Sequence, residues 1–150
     1  MIFKTNNKEI RLVFSTRKIV TVSNLLKGKN FEELYFDAMN KNDLEALSKI
    51  IYTFAEDEAG IRSFKNFDEV YDFIDDYKEE NKKTYEDVYM ELAGAINDEG
   101  FFTKKMTKKE LQSKISDPLS SIKMDEVIKS SAEKAITKVV EKEAFQGYLG

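Results

Sequence analysis

The sequence predicts an α+β fold that is mainly α: an N-terminal β-hairpin packed on a bundle of about five helices, followed by a C-terminal helical extension. Three observations predict it. Apolar and polar residues alternate only within the first 14 positions, and apolar residues recur at intervals of three and four almost everywhere after them. Asn-x-x-Glu and Thr-x-x-Asp pairs stand at the heads of those periodic stretches, where helix N-caps belong. With one proline and six glycines in 150 residues, little interrupts the helices.

Residues 2–5 and 9–14 alternate, and Asn6-Asn7-Lys8 between them tolerates left-handed backbone, so the chain opens with a hairpin whose buried face carries Ile10, Leu12 and Phe14. A two-stranded ribbon is marginal alone, so this face is expected to pack on the helices that follow. Ser15 or Thr16 caps the first helix, with Ile19, Val22, Leu25 and Leu26 at helical spacing and Gly28 in the left-handed position after its end.

Asn30 with Glu33 opens the second helix, which carries Phe31, Leu34, Tyr35 and Ala38 on one side and is broken by residues 40–42. Asn42 with Glu45 opens the third, where Leu44, Leu47, Ile51 and Phe54 keep near-ideal intervals. Residues 56–64, with Gly60, read as a loop. Asn66 with Glu69 starts a fourth helix carrying Phe67, Val70, Phe73 or Ile74, and Tyr77 inward, and Thr84 with Asp87 caps a fifth with Val88, Leu92, Ala95 and Ile96 before Gly100.

The last third has a different texture. Thr107 and Glu110 open a short helix with Leu111 and Ile115, stopped by Asp117-Pro118, because proline lacks a donor and restricts the residue before it. Then Met124, Val127, Ile128, Ala132, Ala135, Ile136, Val139 and Val140 hold the helical interval with Lys and Glu opposite. The expected division is a hairpin-plus-bundle domain over residues 1–102 and a helical extension over 103–150, with a long amphipathic helix over 124–145.

The composition excludes much chemistry. Zero cysteines remove disulfides, thiolate nucleophiles and Cys-zinc sites, and zero histidines remove Ser-His and Cys-His nucleophiles and imidazole ligands. No phosphate-binding glycine loop, nucleophile elbow or dinucleotide fingerprint occurs. The acidic pairs Asp75-Asp76 and Glu79-Glu80 could supply paired carboxylates, but on a regular amphipathic helix they read first as a solvated face. The chain is therefore expected to be no enzyme, with no catalytic residue, metal site or cofactor.

No stretch approaches the roughly 20 apolar residues of a membrane span, and the first 14 residues lack the features of a signal peptide, so no membrane partner and a cytoplasmic location are expected. Net charge is −4, unevenly spread: residues 1–29 carry seven bases and one acid, residues 30–100 seven bases and twenty acids, and residues 103–123 six bases and two acids. The alternation predicts charge-complementary contacts within the fold or between copies, beside the plainer reading of solvated faces. Lys104, Lys105, Lys108 and Lys109 could touch phosphates, but only three arginines and an acidic whole argue against nucleic acid.

What remains is protein binding. An amphipathic helix beyond a compact body must bury its stripe, and Phe101 and Phe102 are adjacent, so they cannot share one narrow helical face. At least one of them is then a hinge plug or a partner contact. The last helix either folds back on its own domain or docks on a client protein or a second copy; in the second case the expected partner-binding residues are Phe101, Phe102, Val127, Ile136, Val139 and Val140.

Taken in order, the opening hairpin over residues 2–14, the helix ending Asn24-Leu25-Leu26-Lys27-Gly28 and the stretch Phe31 to Ala38 resemble the tail assembly chaperones of long-tailed phages and prophages of Gram-positive hosts. The similarity continues through Asn42-Asp43-Leu44-Glu45-Ala46-Leu47-Ser48-Lys49-Ile50-Ile51-Tyr52, an acidic helix and Asp98-Glu99-Gly100-Phe101-Phe102-Thr103-Lys104-Lys105, and covers about residues 1–110. The resemblance implies a non-enzymatic role: coating the tape-measure protein, keeping it soluble, and helping to recruit the major tail (tube) protein. In that family a longer frameshift product carries the recruiting segment, and residues 111–150 depart from the expected pattern. Two other classes fit the residues: a helical adaptor or regulator acting as a discrete dimer, and a carboxylate-based metal hydrolase.

Overall fold

The computed structural model describes residues 1–114. The chain runs β1 (Ile2–Lys4), β2 (Glu9–Leu12), α1 (Thr16–Leu25), α2 (Phe31–Asn40), α3 (Leu44–Phe54), β3 (Ala55–Glu56), α4 (Phe67–Asn81), α5 (Tyr85–Asp98) and α6 (Lys108–Ser113). It is mainly helical with an N-terminal antiparallel hairpin, as the sequence predicts. Thr5 N donates to Lys8 O at 2.8 Å and the Thr5 hydroxyl oxygen accepts from the amides of Asn7 and Lys8, so Asn6-Asn7 forms the turn. Pairing places Phe3 opposite Ile10, both buried on the helix side.

The expected two-stranded ribbon has a third strand. β3 pairs antiparallel with β2, Leu12 opposite Ala55 and Arg11 opposite Glu56, giving the order β1-β2-β3, and Arg62 bridges back to Glu56. So the segment read as a loop begins as sheet. The cause lies in Ala55, which leaves α3 in extended backbone directly along the free edge of β2. β2 itself stops at Leu12, and Phe14 turns off the strand to lie edge-on against Phe54, half-buried.

The helix starts are capped by Ser15, Asn30, Asn66 and Thr84, the last as a reciprocal capping box with Asp87. The third start differs from expectation. Asp43, not Asn42, caps α3, because Asn42 adopts φ 55 and closes α2, with its amide bonded to Met39 O and that of Asp43 to Ala38 O. Likewise Lys27 (φ 65), not Gly28, takes the left-handed position after α1. Gly28 is needed for space: a Cβ there would lie 2.7 Å from Leu34 Cδ2.

α3 is the central element, touched by α1, α2, α4 and β2, and buries seven of its eleven residues. Aromatics fill the space around it. Tyr35 lies within 6 Å of Phe36, Tyr89 and Phe102 and is fully buried; its hydroxyl donates to Tyr89 O, and that of Tyr89 donates to Asp43 O. Burial pushes both hydroxyls well above the ordinary tyrosine range, so they remain donors. A second cluster stacks Phe3 and Phe73 on Tyr77, with Phe64 edge-on to Phe73. In α4 both Phe73 and Ile74 are buried, and in α5 Ala93 is buried where Ala95 was expected, Ala95 being half-exposed.

The first compact unit runs Met1–Leu111 and not to residue 102, because Met106 and Leu111 are themselves buried in it. Thr107 and Glu110 cap α6 reciprocally. Ile115 and the helix predicted over 124–145 lie outside the described residues. Among the described residues, no helix is long and apolar enough to cross a membrane.

Candidate functional site

The outward side of α5 carries the most distinctive surface. With Val88, Tyr89, Leu92, Ala93, Ile96 and Asn97 turned into the core, two rows spaced by four residues face away from it: Met90–Gly94–Asp98 and Glu91–Ala95–Glu99. Together with Met1 they line an open groove of about 490 Å³ with a mostly apolar lining. No lysine or arginine lines it.

Two features of this groove act against the helix that bears it. Gly94 sits in mid-helix at ordinary negative φ, and a Cβ added there would meet nothing within 4 Å. Neither backbone nor packing requires glycine, which costs about 1 kcal/mol relative to alanine in a helix interior. Asp98 and Glu99 stand at the negative end of the helix dipole, where acids are unfavourable by about 0.3–1 kcal/mol, and no basic residue lies in the last turn. Neither acid has an ion-pair partner among the described residues. Glu91, by contrast, is held in place: it accepts from the Tyr77 hydroxyl at 2.7 Å and from Lys83 Nζ at 2.5 Å. Burial and that bond raise the Tyr77 hydroxyl well above its usual range, while Glu91 raises Lys83.

A smaller cleft of about 240 Å³ lies between the hairpin turn and α4, lined by Lys8, Phe64, Asp72 and Asp76 among others. Its polar groups serve the docking of the hairpin. Asn7 Nδ2 donates to Asp76 Oδ2 at 3.4 Å, Asn6 N to Glu80 Oε1 at 2.9 Å, and Lys8 Nζ sits 5.0 Å from the Phe64 ring centre. This accounts for one member of each acidic pair singled out from the sequence; Asp75 and Glu79 are exposed on the solvent side of α4. Among the described residues no three acidic side chains converge to hold a metal ion.

Of the expected partner-binding residues, the structure seats Phe102 in the body's own core, within 6 Å of Phe31, Tyr35 and Phe36. It is the plug. Phe101 is half-buried, 6.1 Å from Phe14. Val127, Ile136, Val139 and Val140 lie outside the described residues. The four lysines at 104, 105, 108 and 109 are exposed, with Lys104 4.0 Å from Glu110. Sequence reasoning passed over the α5 groove. Its signal was a glycine inside a confidently capped helix, with Met90 and Ala95 beside it on the side away from the core and two acids at the wrong end.

No protein family, curated protein or solved structure matches this chain.

Proposed function

We propose that this protein is a non-enzymatic tail assembly chaperone of a phage or prophage, which coats the tape-measure protein in the host cytoplasm and helps to recruit tail-tube subunits. The reading rests on the resemblance carried by residues 1–110. The observation that supports it best is the groove along α5, because an open apolar channel with an acidic rim suits weak, repeated contact with a long helical client. Many such contacts gain strength through multivalency, with no need for one deep site. An exposed acidic face on α4, with Asp68, Asp72, Asp75 and Glu79 all outward, keeps the coated client soluble by like-charge repulsion.

The test is co-expression with a tape-measure protein from the same genome. In the presence of this chain the client is expected in the soluble fraction, bound to it; alone, it pellets. A client equally insoluble with and without the chain would overturn the reading. The competing reading, a helical adaptor, predicts a discrete dimer and no effect on the client.

A further inference from the structure

Two features of α5 that weaken it as a helix, Gly94 in its middle and Asp98 with Glu99 at its end, line the same groove. Local rules are broken where function needs them broken. Gly94 leaves the helix backbone bare at the floor of the groove, with space where a side chain would stand, so another backbone can approach closely. Met90 and Met1 flank that bare stretch with flexible, polarisable side chains that adapt to different apolar partners. The rim has a direction: its unpaired acids gather at the C-terminal end of α5, where the terminal carbonyls add to their negative potential.

We infer that this groove seats an amphipathic helix of a client protein, its small or apolar face on Gly94 and Ala95 and its lysine or arginine flank against Asp98 and Glu99. The charge deficit selects this occupant. A cation delivered there satisfies two carboxylates and the α5 dipole together; among the described residues no lysine or arginine lines the groove, and the ammonium of Met1, which does, pairs with neither acid. Glu91, already fixed by Tyr77 and Lys83, gives the opposite wall a preset shape and draws no further charge. The inference rests on the chaperone reading for the client's identity, but the groove's preference for a basic helix stands apart from it.

The experiment titrates the full chain, at low salt, with a designed amphipathic helical peptide about five turns long that carries an Ala/Leu stripe and a lysine flank, and with the same peptide bearing glutamates in place of the lysines. The lysine peptide is expected to bind the wild type at least about tenfold more tightly than the glutamate peptide. Gly94→Leu, which fills open space, is expected to raise the melting temperature and yet weaken the lysine peptide by about tenfold, a divergence that a purely structural role would not produce. Asp98→Lys with Glu99→Lys reverses the peptide preference. Asp75→Lys with Glu79→Lys, on the solvent face of α4, leaves it unchanged. Equal affinity for the two peptides, absent binding, or full affinity in Gly94→Leu overturns the inference, as does an α4 variant that loses as much as the α5 reversal. If the wild type solubilises a tape-measure protein and Gly94→Leu does so equally well, the groove assignment falls while the chaperone reading stands. If the groove binds the lysine peptide but the chain fails to solubilise the client, the chaperone reading falls and the groove assignment stands.

Discussion

The side-chain amide of Asn97 is bonded twice to the backbone of Met106: Asn97 Nδ2 donates to Met106 O at 2.9 Å, and Met106 N donates to Asn97 Oδ1 at 2.8 Å. Asn97 is itself buried in the last turn of α5, so the helix holds the irregular segment that follows Phe102. Asn97→Ala would leave a buried donor and a buried acceptor unpaired and is expected to cost about 1–3 kcal/mol. Urea unfolding measures it, and amide exchange at Met106 should rise in the same variant. An unchanged exchange rate would mean that the clamp holds nothing.

Phe102 and Phe101 are adjacent in sequence but differ in what they support. Phe102 is enclosed by Phe31, Tyr35 and Phe36, and Phe102→Ala opens a cavity in the main aromatic cluster, with an expected loss of about 3–5 kcal/mol. Phe101→Ala removes a half-exposed ring and is expected to cost clearly less. Comparing the two by thermal and urea unfolding checks the assignment of Phe102 as plug, and equal losses would refute it.

Lys27 sits at φ 65, in the left-handed region where a Cβ costs about 1–2 kcal/mol. Its amide closes α1 on Asn24 O at 3.0 Å, a bond that glycine would keep. Allowing for the extra entropy glycine loses on folding, Lys27→Gly is expected to stabilise the protein by up to about 1 kcal/mol. A lower denaturation midpoint would contradict this backbone assignment.

The capping box at α5 predicts an acid dependence with a definite sign. The Thr84 backbone amide first, and its hydroxyl second, hold the Asp87 carboxyl below the ordinary carboxylate range. A depressed folded-state value means that the stabilisation is complete above the unfolded value of about 3.9 and is lost as pH falls through the folded one. Because Asp87 is exposed, solvent screening keeps this effect small. Asp87→Ala, which removes the carboxylate and keeps the Thr84 cap, is expected to destabilise the protein at neutral pH, and the cost should shrink in acid, where the wild-type carboxylate is protonated too. A cost independent of pH would show that the Asp87 charge takes no part.

The mainly helical fold and its hairpin were legible because they rest on local signals. Ser15, Asn30, Asn66 and Thr84 announce helix starts within their own turn of chain, and Leu47, Ile51 and Phe54 announce a face. What stayed hidden depends on residues far apart. β3 is two residues long and exists only because Leu12 and Arg11 offer a free edge, so no alternation could announce it. Asn42 and Asp43 are both good caps, and the choice falls to whichever residue the closing bonds of α2 leave free. Phe102 follows the end of a helix, where periodicity says nothing about direction. The groove was overlooked for a related reason: Ala95 fits an apolar stripe as well as Ala93 does until the neighbours of α5 are in place.

On the proposed chaperone reading, many copies of the chain coat one long helical client, and that number can be counted. Native mass spectrometry of the complex with the tape-measure protein, repeated with internally shortened clients, counts it. The bound copies are expected to fall in proportion to client length. A fixed stoichiometry, such as one dimer whatever the length, would contradict the coating role.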